Sequence, residues 1–413
     1  MRLLVIQEQH FTKLQNGEVW VDRQSERKFW DRYLDVFEEI VVCARMQEAE
    51  TVDTTALRSD RERVSFAGLP EFRGMGGLIK NYFEIQCRLR AILRNVDCVI
   101  FRAPSPISMV CYDAVRHSGK PFAVELMNNP RTHYSADAMK KFYQPAVSAF
   151  IVNQTERMCR SANGVAYVTQ NVLQTMYPSA AHLHGENPTH FESSYSTIHL
   201  TKDDYRKPSW PQKRPEPVIL VHSGAMADYR KGQRVFIDAL SILSNKGYQV
   251  QGVLLGDGIK RSEFEQYAAE NGLTNQVKFV GWKAGFQNVQ EELLKGQIFV
   301  FPSLGEGLPR SLIEAMASGM LCFGSAVDGV CELLSNDQLV NEFSGVAFAD
   351  KIEPYLIDWT AAGVVRDAQH ATSLKYEAGI LRERRTSFYQ KLKNLAVQKS
   401  EKPLTNEKGP IQK

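Results

Sequence analysis

The order of apolar runs along the chain constrains its fold more than any other feature. Short runs suited to buried strands, "RLLVI" (2–6), "EIVVCA" (39–44), "DCVIFR" (97–102), "PFAVEL" (121–126) and "GVAYV" (164–168), alternate with longer stretches. Those stretches, 25–37, 76–94, 106–117 and 136–160, carry apolar residues at helical intervals. The alternation predicts a parallel sheet covered by helices. It stops at "KPSWPQKRPEP" (207–217), where four prolines in eleven residues resist both helix and central strand. It then restarts with "VILVHS" (218–223), "VQGVLL" (250–255), "VKFV" (277–280), "IFVF" (298–301) and "MLCFG" (320–324). Two doubly wound α/β units in series, 1–206 and 218–365, joined by the proline-rich linker 207–217, are the expectation. A chain of 413 residues is indeed longer than one ordinary hydrophobic core accommodates.

The end of the chain breaks the pattern. Over 366–397, apolar residues at 376, 380, 388, 392 and 395 mark a helix expected to fold back on the first unit. The polar, proline-broken stretch 398–413 reads as a disordered tail.

Composition narrows the class. Hydrophobic residues at 43% and charged residues at 23% are ordinary for a soluble globular protein, and a net charge of +3 gives no argument for nucleic acid as a partner. Seven cysteines without a C-x-x-C pair read as free thiols in a reducing compartment. No apolar run approaches the roughly 18 residues of a membrane span, and "MRLLVIQEQHF" is too short in apolar residues for a signal-peptide core. A cytoplasmic location is expected.

The stretch "SLGEGLPRSLIEAMASG" (303–319) holds the most suggestive chemistry. Gly305 and Gly307 flank Glu306, so the backbone there is free to approach a ligand closely. Pro309 suits the first position of a helix that carries Glu314 about one and a half turns in. That helix would start at the carboxyl edge of strand 298–301, where open α/β sheets bind ligands and helix N-termini attract phosphate. Two surface glutamates, one in favourable contact with the helix dipole, are the plain alternative.

The segment 299–334, "FVFPSLGEGLPRSLIEAMASGMLCFGSAVDGVCELL", resembles the donor-site signature of retaining family 4 glycosyltransferases with the GT-B fold. "RKGQRVFIDAL" (230–240), "LLGDGIKRSEFEQYAAENGL" (254–273) and "VKFVGW" (277–282) resemble the same family in order and spacing. In the first half, 29–45 and 101–126 resemble bacterial transferases that build surface polysaccharides.

The resemblance implies two Rossmann-like domains facing across a cleft, the first binding the acceptor and the second a nucleotide-diphosphate-sugar donor. It implies transfer of a sugar, with retention, to a glycan or lipid-linked glycan. Glu314 would bind the ribose hydroxyls and Glu306 the donor sugar near its anomeric carbon. The backbone at Gly307, Leu308 and Pro309 would touch sugar and phosphate, and Lys231 would neutralise the diphosphate as the bond breaks. Gly224, Gly256 and Gly17 would let loops approach the donor.

Departures accompany the match. The arginine usual after the first glycine of the second domain is Ala225 here, and Arg230, beside Lys231, is the candidate replacement. No histidine follows strand 121–126 at the matching place. A nucleotide-sugar epimerase on the same fold, or an inactive GT-B partner or scaffold, stay open as alternatives.

No Asp-x-Asp pair of the kind that holds a divalent ion in other glycosyltransferases occurs, so neither metal nor cofactor is expected. His182, His184 and His190 have loosely metal-like spacing but read as a polar loop. The stretch 78–94 combines an apolar helix face with Lys80, Arg88, Arg90 and Arg94, either a solvated basic side or a surface for peripheral contact with anionic membrane.

Overall fold

A computed structural model describes residues 1–22, 24–134 and 144–401. Of the expected helix 136–160, residues 136–143 lie outside the described residues, as do 402–413 of the expected tail.

The first sheet contains β1 (Arg2–Leu14), β2 (Val19–Val21), β3 (Glu39–Ala49), β4 (Leu57–Arg58), β5 (Val64–Leu69), β6 (Cys98–Ala103), β7 (Phe122–Leu126), β8 (Gly164–Tyr167) and β9 (Phe191–Ser194). Its parallel body runs β5-β3-β1-β6-β7-β8-β9, with β2 and β4 attached antiparallel beyond it. The second sheet, of β10 (Val218–Ser223), β11 (Val250–Leu255), β12 (Val277–Gly281), β13 (Ile298–Phe301), β14 (Leu321–Ser325) and β15 (Leu339–Val340), is parallel throughout in the order β12-β11-β10-β13-β14-β15. In both sheets the strand order reverses beside the first strand, which opens a crevice at the carboxyl edge. The apolar runs are buried because helices cover both faces; Leu3 to Ile6, Ile298 to Val300 and Leu321 to Phe323 are fully inaccessible.

The proline-rich segment is fastened down. Trp210 stacks on Trp359 with ring centroids 4.5 Å apart, and each indole N–H donates to a backbone carbonyl across the contact, Trp210 to Trp359 and Trp359 to Pro211. The chain crosses between the sheets twice, and the crossings touch: Ala378 N–H donates to Leu200 O at 2.7 Å.

The expected return helix over 366–397 is two elements. The helix Trp359–Ser373 stays on the second sheet, where Gln369 bonds both N–H and C=O of Cys322. Ala378–Glu401 crosses back and lies on β6, β8 and β9, so residues 398–401, expected in the tail, are helical.

The returning helix is pinned by a buried carboxylate. Glu125 on β7, 2% exposed, accepts hydrogen bonds from Tyr33 (2.9 Å), Tyr195 (2.9 Å), Arg102 (2.8 Å) and, from the returning helix, Tyr389. Burial pushes the Glu125 carboxyl up, but Arg102 and the tyrosine hydroxyls outweigh it and hold the group ionised, below the usual carboxylate range. Removing one donor leaves that buried charge under-satisfied. Tyr389→Phe is therefore expected to destabilise the protein by about 1.5–3 kcal/mol, the range for a hydrogen bond to a charged group. Urea denaturation of both proteins measures it.

Candidate active site

The carboxyl edge of the second sheet carries three loops that fit together only through glycine. After β10, Gly224 lies against the loop after β11, where Gly256 has a φ of 127° and a Cβ would strike the Gly224 carbonyl. Gly232, φ 75°, sits against the Pro302 carbonyl at the end of β13, which brings Lys231 over the loop 303–308. Leu304 N–H closes this contact by donating to Arg230 O at 3.0 Å.

Lys231 and Glu306 form an ion pair, with the Lys231 Nζ donating to Glu306 Oε1. Ser303 Oγ donates to the same oxygen at 2.8 Å, and the Glu306 N–H donates to Asp328 Oδ2 at 3.1 Å. The carboxylate is mostly covered and the lysine about one-third exposed, so the pair faces the crevice from one side.

Glu314 differs. It lies within the helix Arg310–Ala317, which starts from Pro309 in an extended conformation, so the proline caps the helix from outside rather than occupying its first turn. Burial pushes the Glu314 carboxyl above the usual range, partly offset by Arg310. Among the described residues its side chain has no hydrogen-bond partner.

The remaining candidates are placed as follows. Leu308 is nearly buried. Gly307 packs under the first domain, where a Cβ would meet Met127 O and Asn128, instead of facing an open cleft. The Arg230 guanidinium is engaged by Asp228 at 2.9 Å, so reaching an anion requires it to leave that carboxylate. Gly17, φ 87°, lies in the turn between β1 and β2, where its N–H donates to Leu14 O. Of the three spaced histidines, His182 has Glu192 3.7 Å away, a carboxylate the sequence reading overlooked. Among the described residues no group of three metal-ligating side chains forms.

Several neighbours escaped sequence reasoning. His133, ending the short helix Pro130–His133, lies near Arg230 and Lys231; desolvation first, then these cations, hold its pKa below the usual value. A histidine absent from the expected position thus arrives a few residues later. Asp328, Asn129, Thr132 and Glu332 join the domains across the crevice. The only sequence signal was the turn-forming Asp328-Gly329 dipeptide.

Residues 217–358 match the family described as Glycosyl transferases group 1. The match covers the second domain and about a third of the chain. Protein CapJ of Staphylococcus aureus is 23% identical over 315 residues, 76% of each chain. A UDP-Gal:alpha-D-GlcNAc-diphosphoundecaprenol alpha-1,3-galactosyltransferase of Escherichia coli is 27% identical over 137 residues, 33% of this chain and 29% of that protein. The crystal structure of Anabaena HepE in complex with UDP and glucose superimposes with a TM-score of 0.59 at 15% identity, covering 97% of this chain and all of that one. The expected fold is confirmed as GT-B.

Beneath the site, His222 on β10 is fully buried, with Nδ1 3.0 Å from Val300 O and Nε2 under Gly224. Burial pushes its pKa down to about 4. The unfolded chain, titrating near 6.5, binds the proton first, so stability falls as pH drops from about 6.5 to 4, by roughly 3 kcal/mol in all. His222→Gln is expected to remove that component, seen as a flatter dependence of the urea midpoint on pH over this window.

Proposed function

We propose that the protein is a retaining glycosyltransferase that moves a sugar from a nucleotide-diphosphate-sugar to a glycan or lipid-linked glycan in surface-polysaccharide biosynthesis. The observation that carries this reading is Glu314: a desolvated carboxylate without a partner at the sheet edge, one helix turn behind a paired lysine and glutamate. A half-buried carboxylate that accepts no hydrogen bond is poorly solvated, and two ribose hydroxyls would satisfy it. The family match over the second domain and the Escherichia coli relative, whose name specifies a UDP-sugar donor and a diphosphoundecaprenol-linked acceptor, support the same assignment.

In this reading Lys231 exchanges Glu306 for the donor diphosphate, and the released Glu306 carboxylate accepts hydroxyls of the transferred sugar. Lys231, with Arg230 once it leaves Asp228, offsets the charge that grows on the leaving phosphate; preorganised cations lower that barrier. The leaving phosphate takes the acceptor proton on the same face, so no protein nucleophile and no metal are required. Gly224, Gly256, Gly307, Leu308 and Pro309 shape the backbone that surrounds the donor, and Gly17 lets the β1–β2 turn approach it from the first domain.

Glu314→Ala is expected to weaken donor binding by about 10- to 100-fold, from loss of hydrogen bonds to a charged group. Lys231→Ala and Glu306→Ala are expected chiefly to lower kcat. Nucleotide release across a panel of nucleotide-sugars, with and without acceptor, measures both; release without acceptor would indicate a hydrolase, and conversion of the nucleotide-sugar without release an epimerase.

A lipid-linked acceptor calls for work at a membrane surface. No described helix is long and apolar enough to cross a membrane. On the helices Gly74–Lys80 and Tyr82–Leu93, however, Ile79 is 71% and Phe83 80% exposed, with Lys80, Arg90 and Arg94 alongside. Apolar tips set among cations suit peripheral contact with the cytoplasmic leaflet, at about 1 kcal/mol per cation. Phe83→Ser with Arg90→Ser is expected to abolish co-sedimentation with anionic liposomes at low salt, without changing the melting temperature.

A further inference from the structure

Asp328 occupies an unusual place. Its φ of 37° lies in the left-handed region, which residues other than glycine adopt at a cost, although Gly329 stands next to it. The carboxylate supplies a reason for an aspartate to persist there. Oδ1 accepts from Asn129 Nδ2 at 2.7 Å, and Oδ2 accepts from Thr132 Oγ1 at 3.0 Å and from the Glu306 N–H at 3.1 Å. Two donors belong to the first domain; the third is the backbone of the residue that pairs with Lys231.

The first-domain side of this contact is preset. Asn129, 1% exposed, has its own Oδ1 taken by Tyr177 OH at 2.7 Å and Arg131 N–H at 3.0 Å, which turns its NH₂ toward Asp328. Four residues beyond Asp328, at the other end of the short helix Asp328–Glu332, Glu332 makes a second crossing. It accepts from the backbone N–H groups of Gln170 (2.6 Å), Asn171 (2.7 Å) and Val172 (2.6 Å). Gly305, whose Cβ would meet the Thr132 side chain, completes the contact of the loop 303–308 with the first domain.

We propose that the segment 328–332 is a two-point clasp between the domains, and that Asp328 is a positioning residue coupling their closure to the placement of Glu306. Separation of the domains takes Asn129 and Thr132 from Asp328 and leaves it only the Glu306 N–H, so the loop 303–308 loses its lateral support. Closure restores both together. The site is then fully ordered only when the acceptor domain is in place, which restricts donor chemistry to the closed form. The clasp is a matter of domain geometry; the role of Glu306 rests on the proposed glycosyltransferase reading.

Asp328→Gly separates the clasp from a turn role, because glycine adopts φ 37° without cost. Small-angle X-ray scattering of the whole protein is expected to show a larger radius of gyration for Asp328→Gly, with cooperative melting retained. Adding Thr132→Val should then change the scattering no further, since the interaction is already gone. In transfer assays kcat should fall on the order of 10- to 100-fold, as misplacement of a substrate-contacting group does, with donor KM little changed. Should Asp328→Gly fail to fold, Asp328→Asn, whose NH₂ replaces one acceptor oxygen and so cannot accept from Asn129 on one side and from Thr132 and Glu306 on the other, gives the same scattering readout. Wild-type scattering from the variant overturns the clasp. A shift in scattering without any detectable transfer by the wild-type protein keeps the clasp and overturns the glycosyltransferase reading.

Discussion

Backbone lying directly on backbone is the constraint on which the site depends. At the carboxyl edge of the second sheet the loops after β10, β11 and β13 approach so closely that a methyl group at Gly232 or Gly256 would occupy a neighbouring carbonyl. Parallel strands set the edge, and these contacts fix where Lys231 and the loop 303–308 stand relative to it. Side chains then do comparatively little positioning on that side. On the other side the first domain supplies it through Asn129 and Thr132.

The charges are arranged unevenly. Lys231 and Glu306 satisfy each other, so neither charge at the centre of the site stands unpaired. Glu314 has no such arrangement: it is half-buried and, among the described residues, accepts no hydrogen bond. A ligand that brings phosphate and hydroxyls together relieves one and substitutes for the other, whereas a bare anion engages the lysine alone.

Much of this was legible in the sequence. The strands 218–223, 250–255 and 298–301 were read with their observed bounds because each is a mainly apolar run closed by glycine or proline. β5 and β9 were not read: "VSFAGL" is short and interrupted by serine and glycine, "FESS" is short and mostly polar, and pairing with β3 and β8 makes them strands. Glu306 and Glu314 stood out through local spacing. Asp328, Glu332 and Glu125 did not, because their partners lie 199, 162 and 264 residues away and no local pattern encodes such pairings. The Arg230–Asp228 pair, by contrast, is local but competes with the role its neighbour suggested.

The bond between Tyr389 and Glu125 has a consequence for how the protein is made. A ribosome emits the strands of the first domain early, yet the core of that domain contains Leu381, Phe388, Tyr389 and Leu392 from the returning helix. Until those residues emerge, Glu125 is a buried charge short of one donor and the apolar face of β8 and β9 lies open to water. The second domain, whose strands and covering helices are contiguous in the chain, is under no such delay. Domains usually mature in the order of their synthesis; here the one made first is finished last, and the interval between is when a nascent chain most needs a chaperone.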